Sequence, residues 1–220
     1  VLSIYTAIVL ISMAFGQYLL GLTDANPLYP FIFVSFLVGL AIVPVSLTRS
    51  LAPAPVPATR INFLKLYRRS HTAVAGAVGS GVVMGGFWGL GAIYALGQTE
   101  EAGFVPAFIA ANILGGALAQ YPIGMASDRI DRRYVLAALC AASGISAFGL
   151  MLAESKNSLL LGAFCFGAFA NSLYAVSLAK AADNSAREEF VTIGSSVLLL
   201  SALGSASSSL VIGWAMRSLG

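Results

Sequence analysis

The sequence predicts an all-α integral membrane protein with seven transmembrane helices. Hydrophobic residues make up 58% of the 220 residues and charged residues only 10%, and the mean hydropathy is +0.87. A soluble domain carries about 25% charged residues because its surface must be hydrated. This composition excludes a soluble globule, and it indicates that lipid is the solvent in which the chain folds.

The apolar residues are grouped into seven blocks, each long enough to cross a bilayer. About 20 apolar residues of helix cross the roughly 30 Å hydrocarbon core, and none of the blocks contains Asp, Glu, Lys, Arg or His. Their many glycines and alanines favour helices packed on one another over barrel strands, which would alternate polar and apolar residues. The predicted spans are residues 1–22, 29–47, 73–96, 103–125, 134–152, 158–178 and 190–216.

The distribution of Lys and Arg among the connections predicts the orientation of the spans. Ten of the 12 fall in the connections before the third, fifth and seventh spans, which lie on one side of the membrane. The other side has only Lys156 and Arg217. Cytoplasmic loops carry the excess of positive charge. The Val1 end is therefore predicted to be cytoplasmic and the Gly220 end to lie outside.

A proline-rich connection marks the predicted domain boundary. Residues 48–60 place Pro53, Pro55 and Pro57 at every second position, so this stretch cannot be helical and is expected to be an extended linker. Residues 61–69, both apolar and basic, suit a short helix at the cytoplasmic membrane surface, although an ordinary long loop is the alternative. Residues 47–71 would then separate two helices of one bundle (1–46) from five helices of a second (72–220).

The turn after the fourth span carries a charged motif, residues 124–133, which read Gly-Met-Ala-Ser-Asp-Arg-Ile-Asp-Arg-Arg. Gly124 would let the helix end approach a neighbour closely. Asp128 can pair with Arg132 one turn on, and it can also accept hydrogen bonds from the N-terminus of a facing helix. Arg129 and Arg133 would hold the loop in the cytoplasm. A simple basic loop that obeys the positive-inside rule is the alternative interpretation.

This motif resembles the signature G-x-x-x-D-[RK]-x-G-[RK]-[RK] of the major facilitator superfamily (MFS), which occurs between the second and third helices and, more loosely, between the eighth and ninth. Asp131 stands where the signature has its second glycine, a departure more typical of the looser copy. The resemblance covers the whole chain and is closest to uncharacterised bacterial members. It implies that the seven helices are helices five to eleven of a twelve-helix, two-bundle fold. The family forms a cytoplasmic gate with this loop, in which Asp128 would face the start of the first helix here.

By this resemblance the chain is part of a secondary active transporter that moves a small organic solute across the bacterial cytoplasmic (inner) membrane by alternating access. Bacterial members of the family are often exporters. By analogy with them, the expected form of transport is proton-coupled export, or efflux. The expected partners are a small-molecule substrate and the lipid bilayer. The expected state is a monomer with no nucleic acid, cofactor or metal. Because the seven spans hold no ionisable residue, a neutral, weakly polar or amphipathic substrate fits best.

Polar and aromatic residues deep in the spans are the candidates to line a transport path between the two bundles. Each could bind substrate or instead bond to a neighbouring helix. Glycines at four-residue spacing in the third span, Gly81, Gly85 and Gly89, indicate either tight helix packing or a thin cavity wall. The path candidates are Gln17, Trp88, Asn112, Asn171 and Tyr174.

A seven-helix receptor and a membrane-embedded enzyme are the alternative function classes. A retinal-binding receptor needs a lysine within its last helix, and residues 190–216 contain none. The only histidine is His71, at a predicted helix start beside Arg68 and Arg69, and no catalytic constellation surrounds it in the sequence. We therefore expect a transporter and not an enzyme.

The reading frame around the chain tests the twelve-helix interpretation. We expect sequencing to show four further spans before Val1, with a stricter copy of the motif between the second and third, and one further span after Gly220. A start codon directly before Val1 together with a stop codon after Gly220 would contradict the two-bundle architecture.

Overall fold

A computed structural model describes residues 2–21, 28–47, 63–99, 101, 103–183 and 189–219. These residues form eight helices, and no strand occurs among them. The helices are α1 (Leu2–Gly21), α2 (Leu28–Leu47), α3 (Phe63–Arg69), α4 (His71–Gln98), α5 (Phe104–Arg129), α6 (Arg132–Met151), α7 (Lys156–Ala182) and α8 (Phe190–Leu219).

Each of the seven predicted spans coincides with a helix among the described residues, which agrees with the prediction of an all-helical membrane protein. Five helices, α4 to α8, are long and apolar enough to cross a membrane. Helices α1 and α2 are each 20 residues long, and the stretches of them whose side chains are described run over Ile8–Gln17 and Leu28–Pro44. Five spans are thus supported by the structure, and the total of seven remains a prediction.

The predicted domain boundary falls partly outside the described residues. The proline-rich stretch 48–60 lies outside them, as do Val1 and Gly220. The short helix predicted for residues 61–69 is present as α3. Its Leu66 is buried in an apolar cluster with residues of α4, α7 and α8, including Ala73 and Val197. The apolar side of α3 is therefore bound to the helices that follow it.

Helix α7 lies at the centre of the packing. It contacts α4, α5 and α6, while α8 packs on α4 and α1 packs on α5. Half of the apolar window of α7 is buried within the protein, the largest share among the five spans. A helix that is apolar on all sides is typical of such a central position.

Glycines allow α4 and α8 to approach until their backbones touch. A Cβ atom added to Gly81 would fall on the carbonyl oxygen of Ser201, and one added to Gly85 would lie 2.5 Å from the Cα of Ser205. In return, Gly204 of α8 lies against the carbonyl of Val78. Small residues at helix interfaces are the usual means of close association in a membrane, because lipid provides no hydrophobic drive between helices.

Glycines also bring α5 and α7 into backbone contact, with one glycine from each helix. A Cβ atom at Gly115 would fall on the carbonyl oxygen of Phe164, and one at Gly167 would fall on that of Asn112. These contacts exclude any side chain at the two glycine positions. They also set the distance between the helices that carry Asn112 and Asn171.

The three glycines at four-residue spacing in α4 differ in their surroundings. Gly81 and Gly85 are buried against α8, which supports the packing interpretation for these two residues. Gly89, one turn further on, is exposed. The four-residue spacing of the glycines therefore continues past the contact between α4 and α8.

A pair of substitutions on α4 tests the helix contact. We expect Gly81→Ala to lower the free energy of unfolding by about 1–3 kcal/mol, because the added methyl group overpacks a backbone contact. Gly79→Ala is the matched control, since no atom lies within 4 Å of its Cβ position and alanine favours helix by about 0.5–1 kcal/mol. The thermal midpoint of the purified protein in detergent reports both effects. Equal midpoints for the two variants would contradict the packing.

Candidate functional site

The charged motif forms a tight turn between two helices. Helix α5 continues through Asp128 to Arg129, and α6 begins at Arg132, so that only Ile130 and Asp131 connect them. Asp131 is the N-cap of α6, because its Oδ1 accepts a hydrogen bond of 3.0 Å from the backbone N–H of Arg133. Aspartate is among the preferred N-cap residues. This capping is the local reason for an aspartate where the MFS signature has glycine.

The environment of Asp131 favours its ionised form. The backbone hydrogen bond from Arg133 is the main cause that lowers the pKa of Asp131 below its ordinary 3.8, and the charges of Lys180 and Arg133 act in the same direction against a partial desolvation. A carboxyl with a depressed pKa stabilises the fold above its unfolded-state pKa. That contribution is present at neutral pH and is lost only as the pH falls through the lowered value.

Arg132 joins the ends of three helices. Its guanidinium donates to Oδ1 of Asp128 at 2.8 Å and forms an ion pair with Asp183 at the end of α7. Lys180 lies 3.4 Å from Asp183 and 3.6 Å from Asp131. We call these five residues the motif charge cluster. The predicted Asp128–Arg132 pair is confirmed, and the cluster extends it from α5 and α6 to α7.

Sequence reasoning missed Asp183. It is the C-cap of α7, where a carboxylate meets the negative end of the helix dipole. Arg132 and Lys180, whose side chains are only 21% and 16% exposed, offset that unfavourable placement. The i, i+3 spacing of Lys180 and Asp183 in the sequence is the signal that could have identified this carboxylate.

Three other motif residues have few contacts. A Cβ atom at Gly124 would meet nothing within 4 Å, so the close helix approach predicted there is not made by the part of the chain that the structure describes. Arg129 and Arg133 are exposed. The side chains of residues 1–7 lie outside the described residues, so the predicted contact of Asp128 with the start of α1 remains a prediction.

Two of the five path candidates meet inside the protein. The Nδ2 of Asn171 donates to the carbonyl oxygen of Gly167 at 3.0 Å and approaches the backbone oxygen and Oδ1 of Asn112 at 3.3 and 3.4 Å. The side chain of Asn171 lies directly on Gly116 of α5. The amide pair thus links α5 to α7 at their glycine contact.

Asn112 retains an unused donor. Its side chain is fully buried, and its Nδ2 has no hydrogen-bond partner among the described residues. An unpaired buried polar group costs about 1–3 kcal/mol. The arrangement therefore combines a helix–helix hydrogen bond with one donor that a ligand oxygen or a water could satisfy.

Within the described residues, no hydrogen bond or ring contact joins the other three candidates to this pair. Trp88 is 46% exposed and meets Phe87 edge-on at 5.9 Å. Tyr174 packs against the apolar cluster that contains Leu66. Gln17 is half-buried in α1.

Ion pairs also join helix ends outside the motif. Arg69 at the end of α3 lies 2.6 Å from Glu189 at the start of α8. At the opposite end of the helices, Lys156 pairs with Glu101, and the hydroxyl of Tyr94 donates to the carbonyl oxygen of Leu150 at 2.8 Å. Charged and polar contacts thus hold the bundle at both ends, while glycine contacts and apolar clusters hold its middle.

Comparison with known proteins gives relatives along nearly the whole chain. It is similar to the proteins named uncharacterized MFS-type transporter YcaD from Salmonella arizonae and Escherichia fergusonii, each 23% identical over 206 residues, and from an Escherichia coli O7:K1 strain, 24% identical over the same length. Each match covers 93% of this chain and 53% of the relative, so the chain spans about half the length of the curated relatives it matches. No family model and no solved structure matches.

These similarities agree with the resemblance seen in the motif and are consistent with a fragment of an MFS transporter. Together with the apolar helices, they indicate a multi-pass membrane protein of the transporter class. At 23% identity, they support this class and no finer assignment.

A charge exchange tests the link between α6 and α7. We expect Asp183→Arg and Arg132→Asp each to destabilise the protein, and the double variant to recover about 1 kcal/mol, the strength of a partly exposed ion pair. Thermal midpoints of the four proteins in a double-mutant cycle give the coupling. If the loss of stability in the double variant equals the sum of the two single losses, the pairing is contradicted.

Proposed function

We propose that the chain is part of a secondary active transporter that moves a small organic solute across the bacterial cytoplasmic membrane by alternating access, with proton-coupled export as its form. The observation that most supports this function is the similarity to MFS-type transporters over 93% of the chain. The proposed orientation places the Val1 end and the motif charge cluster in the cytoplasm and Gly220 outside.

The contact between α1 and α5 supports the two-bundle arrangement within this proposal. The proline-rich segment would separate a bundle that ends with α2 from a bundle that begins with α4. Helix α1 packs on α5, so this contact would cross from one bundle to the other. Alternating access requires an interface of this kind, at which one bundle can rock against the other.

The motif charge cluster would act as the cytoplasmic gate. Arg132 holds Asp128 at the end of α5, which is the helix that α1 contacts. From that position the Asp128 carboxylate, whose side chain is 71% exposed, is available to the N-terminus of α1. A contact between a carboxylate and a helix dipole is worth about 1–2 kcal/mol. That energy is small enough for the contact to form and break in each transport cycle.

The substrate we propose is neutral, weakly polar or amphipathic. The buried amide of Asn112 and the partly buried amide of Asn171 meet at the α5–α7 contact, and Nδ2 of Asn112 can donate to an ether or carbonyl oxygen. Trp88, Tyr174 and Gln17 remain proposed path residues. A carboxylate for proton coupling would have to lie in helices outside this chain.

Inverted membrane vesicles that contain the protein test this function. With a proton gradient generated by ATP hydrolysis and reported by a fluorescent weak base, we expect some neutral or amphipathic compounds to dissipate the gradient only when the protein is present. Asp128→Asn should lower that rate about tenfold because it removes the proposed gate charge. Glu154→Gln is the matched control, since Glu154 is an exposed carboxylate on the opposite side.

Three outcomes would reject parts of the proposal. Dissipation that is identical in vesicles without the protein would reject proton-coupled transport. Full activity of Asp128→Asn would reject the gate. Ligand binding or chemical turnover without translocation would favour the receptor or the membrane-embedded enzyme.

A further inference from the structure

A lateral groove separates α5 from α6, away from the Asn112–Asn171 contact. Both helices pack on α7 but make little contact with each other. The space between them has a volume of about 380 Å3, and Phe169 of α7 also lines it. Among the lining side chains that the structure describes, only that of Tyr134 has a polar atom, so this lining lacks the placed polar groups that orient a solute.

The shape of the groove comes from small side chains. Ala126 of α5 and Ala138 and Ala142 of α6 leave the space open, between the larger side chains of Ile123 and Tyr134. From position 134 to position 142 is eight residues, or about 12 Å along a helix. One leaflet of the hydrocarbon core is about 15 Å deep. The groove therefore matches an extended hydrocarbon chain inserted from one membrane surface.

Two exposed arginines directly precede lining residues at the loop end of the groove. Arg129 precedes the lining residue Ile130, and Arg133 precedes Tyr134. Both are exposed, and neither has an ion pair among the described residues. The nearby carboxylate of Asp131 already caps α6 and lies 3.6 Å from Lys180. Two guanidinium groups, each one residue from the groove lining, are thus available for an external anion.

We propose that this groove binds an anionic phospholipid, with one acyl chain between α5 and α6 and its phosphate held by Arg129 and Arg133. Apolar walls fit the chain, and paired guanidiniums fit the phosphate oxygens. Basic pockets between membrane helices on the cytoplasmic side bind anionic headgroups. The site relies on the proposed orientation, and it is independent of which solute is transported.

Native mass spectrometry of the protein, expressed from its complete reading frame, tests this site. In micelles with equal amounts of phosphatidylglycerol and phosphatidylcholine, we expect the protein to retain phosphatidylglycerol preferentially. Arg129→Gln and Arg133→Gln should each weaken that retention about fivefold. Ala138→Phe should abolish the retention of either lipid at this site, because the ring fills the groove.

Matched variants separate this site from general effects of charge and bulk. Arg68→Gln removes an exposed arginine of α3, and Ala137→Phe adds a ring to an exposed position of α6 outside the groove. We expect both to retain phosphatidylglycerol as the parent does. Equal retention of the two lipids by the parent would overturn the proposal, as would unchanged retention in the arginine variants. If Ala138→Phe does not fold, the arginine variants decide the question alone.

Discussion

The direct backbone contact between paired helices is the constraint on which the rest of this structure depends. Lipid tails are as apolar as the side chains they would replace, so helices in a membrane associate through close packing. Gly81 on α4 and the mutual contacts of Gly115 and Gly167 between α5 and α7 supply that packing. The position of α7 follows from these contacts, and with it the meeting of Asn112 and Asn171.

The ends of the helices obey a second constraint, because their backbone groups and dipoles need partners. Asp131 accepts a hydrogen bond from a backbone N–H at the start of α6. Asp183, in contrast, adds a negative charge at the C-terminus of α7, where the helix dipole is already negative. Arg132 resolves this conflict by pairing with Asp183 and with Asp128. One arginine at the start of α6 thus contacts carboxylates at the ends of both α5 and α7.

The interior and the side of the bundle differ in chemistry. At the α5–α7 contact, a buried amide has one donor without a partner among the described residues, in an otherwise tight interface. Between α5 and α6 the surface is apolar and open, and Arg129 and Arg133 directly precede two of its lining residues. Both features adjoin α5, which α1 also contacts. Motion of α5 would therefore affect the proposed path, the proposed gate and the proposed lipid site at the same time.

The sequence by itself determined the helices, because a span needs about 20 uninterrupted apolar residues and the charges mark where each ends. It also identified the Asp128–Arg132 pair, which is local within one turn. It could not identify Asp183 as the partner of Arg132, because the two residues are far apart along the chain. Nor could it show that Gly81 contacts another helix while Gly89 is exposed, since both have the same local spacing. Only tertiary structure decided these points, because side chains on different helices meet according to how the helices pack.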